Sequence, residues 1–577
     1  MQALLKYNNN PSEFFLSLYR LWRDEYQKQE KKLPELIIKM NKENGVDFCQ
    51  VAVDAMNDNF RCFDVPPILE DALPDMNLNI DSVLSLSESL FQGMQGDLLA
   101  PKQFKPFENL IVKQPEFSRE LLSELLNQDK PFIVGYVSRL FQGFARGNEV
   151  QIHEELCTLK DHKSKHVLMA IADVLGELDY TAAENRKLIP KTLSILDYLE
   201  NKNLAEVNRI IVFAYTSLLK FSEIPKDKLI KFSKSDQVLL QGAVSCSLFR
   251  LQEEHGNEEW FSTALLKLSS VSCQYKGIMD DLDYVLGGLV EKNDNWDLAE
   301  AFLVEWLLNS DYTSNTKNLS DLLNSTFSAF IQKRVHLEKL LTRFFNHDNF
   351  KMHSAAAQII SFCQLQNIND LKLHKESLKL LAYADCLYIC RKVLGYVNTP
   401  QYLCSLCFSV LDAFPRKKDM QDLIYTIFRY HIGENHPGRT LEFLKNVLSE
   451  TQSVNKKKVV SQIIKDIESY LAQRDSLPIL KELVPSRQKS KKVYRESSKK
   501  MSKAMEEAQQ NSFVSLIASK VILKQGTGSF QFMYGAYSEI TKMGQFSEEI
   551  ELPHSEITHP VDAALERINF RLAKRGD

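Results

Sequence analysis

Four cysteines on two neighbouring predicted helices have the spacing of a zinc site. Cys386 and Cys390 are four residues apart, and Cys404 and Cys407 are three residues apart. On a helix each pair projects to one side, so two facing pairs could supply four thiolates to a tetrahedral zinc ion. Both pairs stand among leucines and tyrosines, without the polar outer shell that metal ligands need. Because a buried cysteine also behaves as a small apolar side chain, we predict core packing rather than a metal site.

Histidines offer a second candidate for metal chemistry. His162 and His166 are four residues apart, so on a helix they would share one face. A metalloprotease helix also needs a glutamate between its two histidines, whereas here Lys163 and Lys165 stand between them. The lysines indicate a solvated turn. His153 is followed by two glutamates but lacks the second histidine, so we predict no metal ligand set at either place.

Acidic residues cluster at two places in the middle of the chain. Asp280, Asp281 and Asp283 form the first cluster, and residues 293–297 form the second around Trp296. Neither cluster has the glycine and the terminal glutamate of a calcium loop. The second cluster precedes an apolar stripe of helical period, so we predict that its Asn and Asp side chains cap that helix.

Catalytic signatures are missing from the sequence. Gly287-Gly288 and Gly526-x-Gly528 do not extend into either GxxxxGK[ST] or GxGxxG, and no GxSxG occurs. We therefore predict a protein that is not an enzyme and that uses no cofactor, although a site assembled from distant residues would leave no such signature.

A strongly basic segment stands near the C-terminal end of the chain. Residues 487–503 carry eight cations against a single acid, Glu496, and one aromatic residue, Tyr494. Such a run could bind phosphates with a salt-dependent affinity, or it could be a solvated helix that leaves the folded body. The candidate polyanion-binding residues are Arg487, Lys489, Lys491, Lys492, Arg495, Lys499, Lys500 and Lys503.

Aromatic residues alternate with other residues just after the glycines at 526 and 528. This alternation is the best strand candidate in the chain, and a terminal helix is predicted from Val561 to Ala573. The aromatic side chains could contact a partner, for example by adding a strand to it, or they could form a small local core with the terminal helix. The candidate partner-binding residues are Phe530, Phe532, Tyr534 and Tyr537.

The elements that position these residues are predicted from residues 399–471. Leu403, Leu406, Val410 and Phe414 lie on one stripe of a helix that Thr399 can cap and that begins at Pro400. Further stripes follow, and the first of them ends at Gly433. The four helices start about every nineteen residues, so a helix pair repeats at about forty residues, the period of stacked helical hairpins.

This pattern resembles the HEAT/armadillo-like solenoids over residues 115–484. The resemblance implies an all-α fold of stacked antiparallel hairpins and no particular activity. We predict an N-terminal helical region at residues 1–114, the solenoid at 115–484, a basic linker or helix at 485–512, and a C-terminal appendage of mixed structure at 513–577.

Composition narrows the class of protein. The chain has 577 residues, of which 44% are hydrophobic, and a formal net charge of −4, so no chain-wide field favours a polyanion. The ten cysteines suggest no disulfide framework, and no apolar run is long enough to span a bilayer. These features lead us to expect a cytoplasmic protein.

The pattern as a whole predicts a non-enzymatic helical-repeat scaffold or adaptor. A protein partner would dock across several repeats of an extended surface. The alternative is a nucleic-acid-associated accessory protein that uses the basic segment at residues 487–503.

Overall fold

The computed structural model of the chain describes residues 10–28, 32–95, 100–313, 317–478, 486–510, 530–533, 536–539 and 553–576. Its fold class is all-α, an α-solenoid of stacked helical hairpins. The chain divides into two compact units. Unit 1 comprises residues 1–340 and 349–363, and unit 2 comprises residues 341–348 and 364–577. The predicted divisions at residues 115, 485 and 513 stay predictions.

Unit 1 contains the following helices: α1 (Pro11–Lys28), α2 (Lys32–Asn44), α3 (Phe48–Asn57), α4 (Val65–Leu69), α5 (Ile80–Met94), α6 (Lys105–Glu108), α7 (Leu110–Lys113), α8 (Pro115–Leu126), α9 (Ile133–Ala145), α10 (Glu149–Leu159), α11 (Lys165–Glu177), α12 (Ala183–Arg186), α13 (Ile189–Glu200), α14 (Ala205–Leu218), α15 (Ile224–Ser233), α16 (Val238–His255), α17 (Glu259–Lys267), α18 (Lys276–Glu291), α19 (Trp296–Asn309), α20 (Leu319–Leu322) and α21 (Asn324–Gln332). Short 3₁₀ turns occur at Cys62–Asp64, Leu73–Asp75, Ala100–Phe104 and Leu268–Ser270. The boundary between the units falls within α22 (Arg334–Phe345) and near the end of α23 (Phe350–Leu365).

The helices of unit 1 lie in two layers. In one layer α9, α11, α14, α16, α18 and α21 pack each on the next, and in the other α15, α17 and α19 do the same. Four successive helices of the first layer begin at Lys165, Ala205, Val238 and Lys276, close to the predicted repeat of about forty residues. Apolar side chains on the helices of the first layer, such as Ile211, Leu248 and Leu282, are fully buried.

Unit 2 contains these elements: α24 (Lys375–Lys379), α25 (Tyr383–Tyr396), α26 (Pro400–Ala413), α27 (Lys418–Thr426), a π-helix (Ile427–Ile432), α28 (Gly433–Asn435), α29 (Pro437–Glu450), α30 (Val454–Asp475), α31 (Arg487–Gln510), β1 (Phe530–Met533), β2 (Ala536–Glu539), α32 (His554–Thr558) and α33 (Pro560–Leu572). The central helix is α26, which packs against α24, α25, α27 and α29. β1 and β2 pair as an antiparallel hairpin with Phe532 opposite Tyr537.

Two local predictions for unit 2 are wrong. Thr399 precedes α26 without capping it, because its hydroxyl donates to Gln364 Oε1 at 3.1 Å instead. Gly433 does not end its helix, since the π-helix continues directly into α28. A Cβ at Gly433 would lie 2.3 Å from the Phe428 carbonyl oxygen and 2.7 Å from Ile467 Cδ1. Glycine at position 433 therefore lets the Phe428 carbonyl and the Ile467 side chain lie close to its Cα, and it does not serve to turn the chain.

The acidic cluster before α19 also differs from its prediction. Asn295 occupies the cap position of α19 without a side-chain hydrogen bond to that helix. Its amide donates instead to the Gly256 carbonyl at 3.2 Å, and the Asn293 amide donates to the Gln252 carbonyl at 3.1 Å. Both side chains thus tie the loop before α19 to the C-terminal end of α16.

Candidate functional site: the cradle of the C-terminal helix

The most distinctive site in unit 2 is the surface that holds α33. Helix α33 packs on α25, and the short α32 before it packs on α28. We call this surface, formed by α25, the π-helix and α28, the cradle. Pro560 starts α33 at a position where proline is tolerated, and Arg571 in the last turn complements the helix dipole.

A buried lysine closes the C-terminal end of α33. Lys392 on α25 is only 3% exposed. Its ammonium donates to the carbonyl oxygens of Arg571 at 2.6 Å and Ala573 at 2.7 Å, and it lies 3.4 Å from that of Phe570. These carbonyls belong to the last turn, where no further helical N–H is present to bond them. The lysine therefore acts as a cap supplied by another helix.

Two arginines fix α33 and the residues after it. Arg571 Nε donates to the Gly395 carbonyl at 2.6 Å. A Cβ at Gly395 would lie 3.0 Å from the backbone nitrogen and Cγ of Arg571, so the backbones of α25 and α33 meet closely at this glycine. Arg575 bonds the carboxylates of Asp348 and Asp385 at 2.8 and 2.6 Å. The contacts to Gly395 and Asp385 hold this end of α33 and the residues after it on α25.

The other side of the cradle is the π-helix. His431 Nδ1 lies 2.7 Å from Glu566 Oε1, and its ring packs edge-on against Phe570 with 5.1 Å between centroids. The Ser555 backbone N–H donates to Asn435 Oδ1 at 2.9 Å. A cleft of about 270 Å³ lies between the π-helix and α33. π-helical turns are rare and frequently occur at functional sites.

The outward face of α33 is apolar. Val561, Leu565, Ile568 and Leu572 follow the spacing i, i+4, i+7, i+11 of one helical stripe, which we call the outer stripe. Their side chains are between 46% and 70% exposed. A surface helix normally turns such a stripe toward the core. In α33 the charged and aromatic face contacts the cradle, and the outer stripe faces solvent.

The aromatic and basic residues singled out in the sequence lie elsewhere. Phe530 and Phe532 are in β1 and Tyr537 is in β2, whereas Tyr534 lies outside the described residues. All eight predicted cations lie on α31, and every residue from Arg487 to Lys500 is exposed. The polyanion-binding and partner-binding roles of these residues stay predictions.

The candidate metal residues are engaged in packing and in hydrogen bonds. The thiols of the four cysteines on α25 and α26 are buried, and burial raises the pKa of Cys386 to about 12, which favours the neutral thiol. His166 Nδ1 lies 3.0 Å from Asp129 Oδ1, and His162 Nδ1 accepts from the Ser164 N–H at 3.1 Å. Within the described ranges, no group of three or more His, Cys, Asp or Glu side chains is arranged to hold a metal ion.

Comparisons with known proteins add little to this geometry. No protein-family profile and no curated protein sequence matches the chain. One similar solved structure is a crystal structure of an engineered protein that is 13% identical in sequence. The match covers 73% of this chain and 99% of that chain, with a TM-score of 0.19. Another comes from work on a phosphorylation switch in the interaction between cadherin and beta-catenin, and is 12% identical in sequence. That match covers 83% of this chain and 100% of the other chain, with a TM-score of 0.21. With TM-scores this low, neither similarity supports a conclusion about function.

Among the residues that the structure describes, no helix is long and apolar enough to cross a bilayer.

Proposed function

We propose that the protein is a helical-repeat scaffold of the HEAT/armadillo-like kind that binds another protein, and that the outer stripe of α33 is a contact surface for it. The observation that carries the proposal is the orientation of α33. Its charged face is held by Lys392, Gly395 and His431, while four apolar side chains stay in water. Contiguous exposed apolar side chains mark interaction sites.

The spacing of the outer stripe fits recognition of a helix by an apolar groove. Partners that bind helices in this way read anchors at i, i+3 or i+4, and i+7. Because unit 2 already holds α33 in helical form, binding of the partner does not have to order this helix, which lowers the entropic cost of association. The partner would therefore be a protein with an apolar groove.

Site-specific photo-crosslinking tests this proposal. A photoreactive amino acid at position 568 should crosslink to a partner in cells, and the same residue at the exposed position 361 of α23 is the matched control. The crosslink should disappear in the Leu565→Glu, Leu572→Glu variant, because two charges in the stripe oppose apolar docking. Identical products from both positions, or none from position 568, would contradict the proposal. A product formed only with a second copy of the chain would replace it with self-association.

The basic helix α31 supports a second candidate function, binding to nucleic acid. Five cations repeat at i, i+4 along the helix, so that each lies one turn from the next: Arg487, Lys491, Arg495, Lys499 and Lys503. Neutralising three phosphates on a single strand would give a salt slope of about −2.

This second function is tested with a labelled single-stranded oligonucleotide. The Lys491→Gln, Arg495→Gln, Lys499→Gln variant should bind more weakly. The dependence of its log affinity on log salt concentration should be shallower, with a slope smaller in magnitude by about 2. The control carries the same net charge and has Lys220, Lys234 and Lys267 changed to Gln, all on the surface of unit 1. Equal losses in both variants would contradict a role for α31.

A further inference from the structure

A row of arginine and aromatic side chains crosses three helices of unit 1. Arg209 and Phe213 project from α14, Phe249 and Arg250 from α16, and Tyr284 from α18. We call these five residues the arginine–aromatic row. Phe249 is 39% exposed and Tyr284 is 55% exposed, and both arginines are exposed.

The register of the three helices places these residues side by side. Thr216 on α14 donates to Ser247 on α16 at 2.8 Å, and the Ser245 hydroxyl donates to Asp281 on α18 at 3.0 Å. The helices belong to the same layer, so equivalent turns lie next to each other. Buried polar bonds of this kind fix the register because a slip would leave them unpaired.

Direct contacts link the row across the helix boundaries. The Arg250 guanidinium lies 5.4 Å from the centre of the Phe213 ring, within the range of a cation–π contact. The rings of Phe249 and Tyr284 are 5.6 Å apart. The row is therefore a continuous surface and not a set of separate side chains.

The arginines of the row have unused capacity for an acidic ligand. Among the described residues neither Arg209 nor Arg250 forms an ion pair with a carboxylate, and Arg250 lies beside the Cys246 thiol and Asp281. A guanidinium presents donors in a planar fork that matches a carboxylate with two parallel hydrogen bonds. Arginine and tyrosine are also the residues enriched where interfaces concentrate their binding energy.

From this arrangement we propose that the arginine–aromatic row binds a peptide segment of a partner protein that carries an acidic side chain between apolar ones. The acid would lie between Arg209 and Arg250. The apolar neighbours would pack on Phe213 and on the Phe249–Tyr284 pair. This inference concerns unit 1 and does not depend on α33, so either proposal can fail alone.

The charges around the row favour a peptide over a nucleic acid. Asp280 and Asp281 lie on α18 beside Tyr284, and Asp281 is held near Cys246 and Arg250 by Ser245. The exposed Asp280, at the Tyr284 end of the row, repels a backbone that bears a phosphate at every step, whereas a peptide with one acid can place it on the Arg209 side, away from Asp280 and Asp281. The row thus suits an isolated negative charge.

Selection from a displayed library of random twelve-residue peptides on the full chain tests the inference. The expected peptides combine Asp or Glu with Leu, Phe or Trp, and one of them is then synthesised with a fluorescent label. Its affinity should fall at least tenfold in Arg250→Glu and in Phe249→Ser, and should fall on addition of salt. Arg416→Glu, at an exposed arginine of unit 2, should leave the affinity unchanged.

Several results would overturn the inference. These are the absence of any selected peptide, peptides without acidic residues, or equal losses in Arg250→Glu and Arg416→Glu. Binding of a single-stranded oligonucleotide that depends on Arg209 and Arg250 would also overturn it. Arg250→Gln removes the charge at an exposed position without adding a negative one, so it separates lost recognition from misfolding, which circular dichroism monitors.

Discussion

The Lys392 ammonium donates to the Ala573 carbonyl oxygen at 2.7 Å across 181 positions of sequence. A lysine from a helix in the body of unit 2 thereby completes the last turn of the C-terminal helix. Because the lysine is buried and the carbonyls have no helical partner, the end of the chain and α25 depend on each other. The predictions that follow concern this cradle and two sites in unit 1.

Replacing Lys392 by methionine should loosen α33. The substitution keeps the length of the side chain but leaves the carbonyls of the last turn without a donor, which costs about 1–3 kcal/mol of docking free energy. Hydrogen–deuterium exchange in residues 560–572 should accelerate, while exchange in α26 should not change. Lys379→Met, at an exposed lysine of the neighbouring α24, is the control. Unchanged exchange in α33 would show that the cap is dispensable.

Replacing Gly395 by leucine should displace α33 without altering its sequence. A Cβ already meets the Arg571 backbone at 3.0 Å, and a longer side chain has no room between the two helices. Leucine is a better helix former than glycine, so α25 itself should gain stability. Trypsin should then cut after Arg567 and Arg571 faster than in the natural chain. Gly277→Leu on α18, where nothing lies within 4 Å of the added Cβ, should leave the cleavage unchanged.

Replacing Asp283 by alanine should destabilise unit 1. The buried carboxylate on α18 accepts from the backbone N–H groups of Ser325 and Thr326 at 2.9 and 2.8 Å, and so caps α21 from another helix. Loss of the acceptor leaves two donors unpaired, at a cost of about 2 kcal/mol in the free energy of unfolding. Urea unfolding followed by circular dichroism measures this change. The exposed Asp280, changed to alanine, should cost far less, and equal effects would refute the capping role.

Glu258 should contribute a pH-dependent stabilisation. Hydrogen bonds from Lys226 and His255, with a further one from Trp260, lower the pKa of its carboxyl to about 2. Since the folded pKa lies below the unfolded value of about 4.3, the stabilisation is present above pH 4.3 and is lost as the pH falls through about 2.

The difference between the natural chain and Glu258→Gln measures this contribution. The gap in thermal stability should be full at neutral pH and should shrink progressively below about pH 4. Glu124→Gln, at an exposed carboxyl of α8, should show no comparable gap. A gap that stays constant down to about pH 2 would show that the loss comes from packing rather than from charge.

Local periodicity was enough to predict the class of fold. Leu403, Leu406 and Val410 of the predicted stripe lie on α26, and Phe414 directly follows its last residue. Helices that begin about every nineteen residues gave the repeat of stacked pairs. These features depend only on which residues recur at the helical period, and that information is contained in the sequence itself.

The tertiary structure decided which partner each side chain has. Leu565 and Ile568 have the spacing of a core stripe, yet they face solvent because Lys392 and Gly395 bind the opposite face of α33. Asp283 caps a helix that begins some forty residues later, and no local pattern identifies that helix. Periodicity shows that a face is apolar, but whether that face is buried depends on residues that are distant in sequence and near in space.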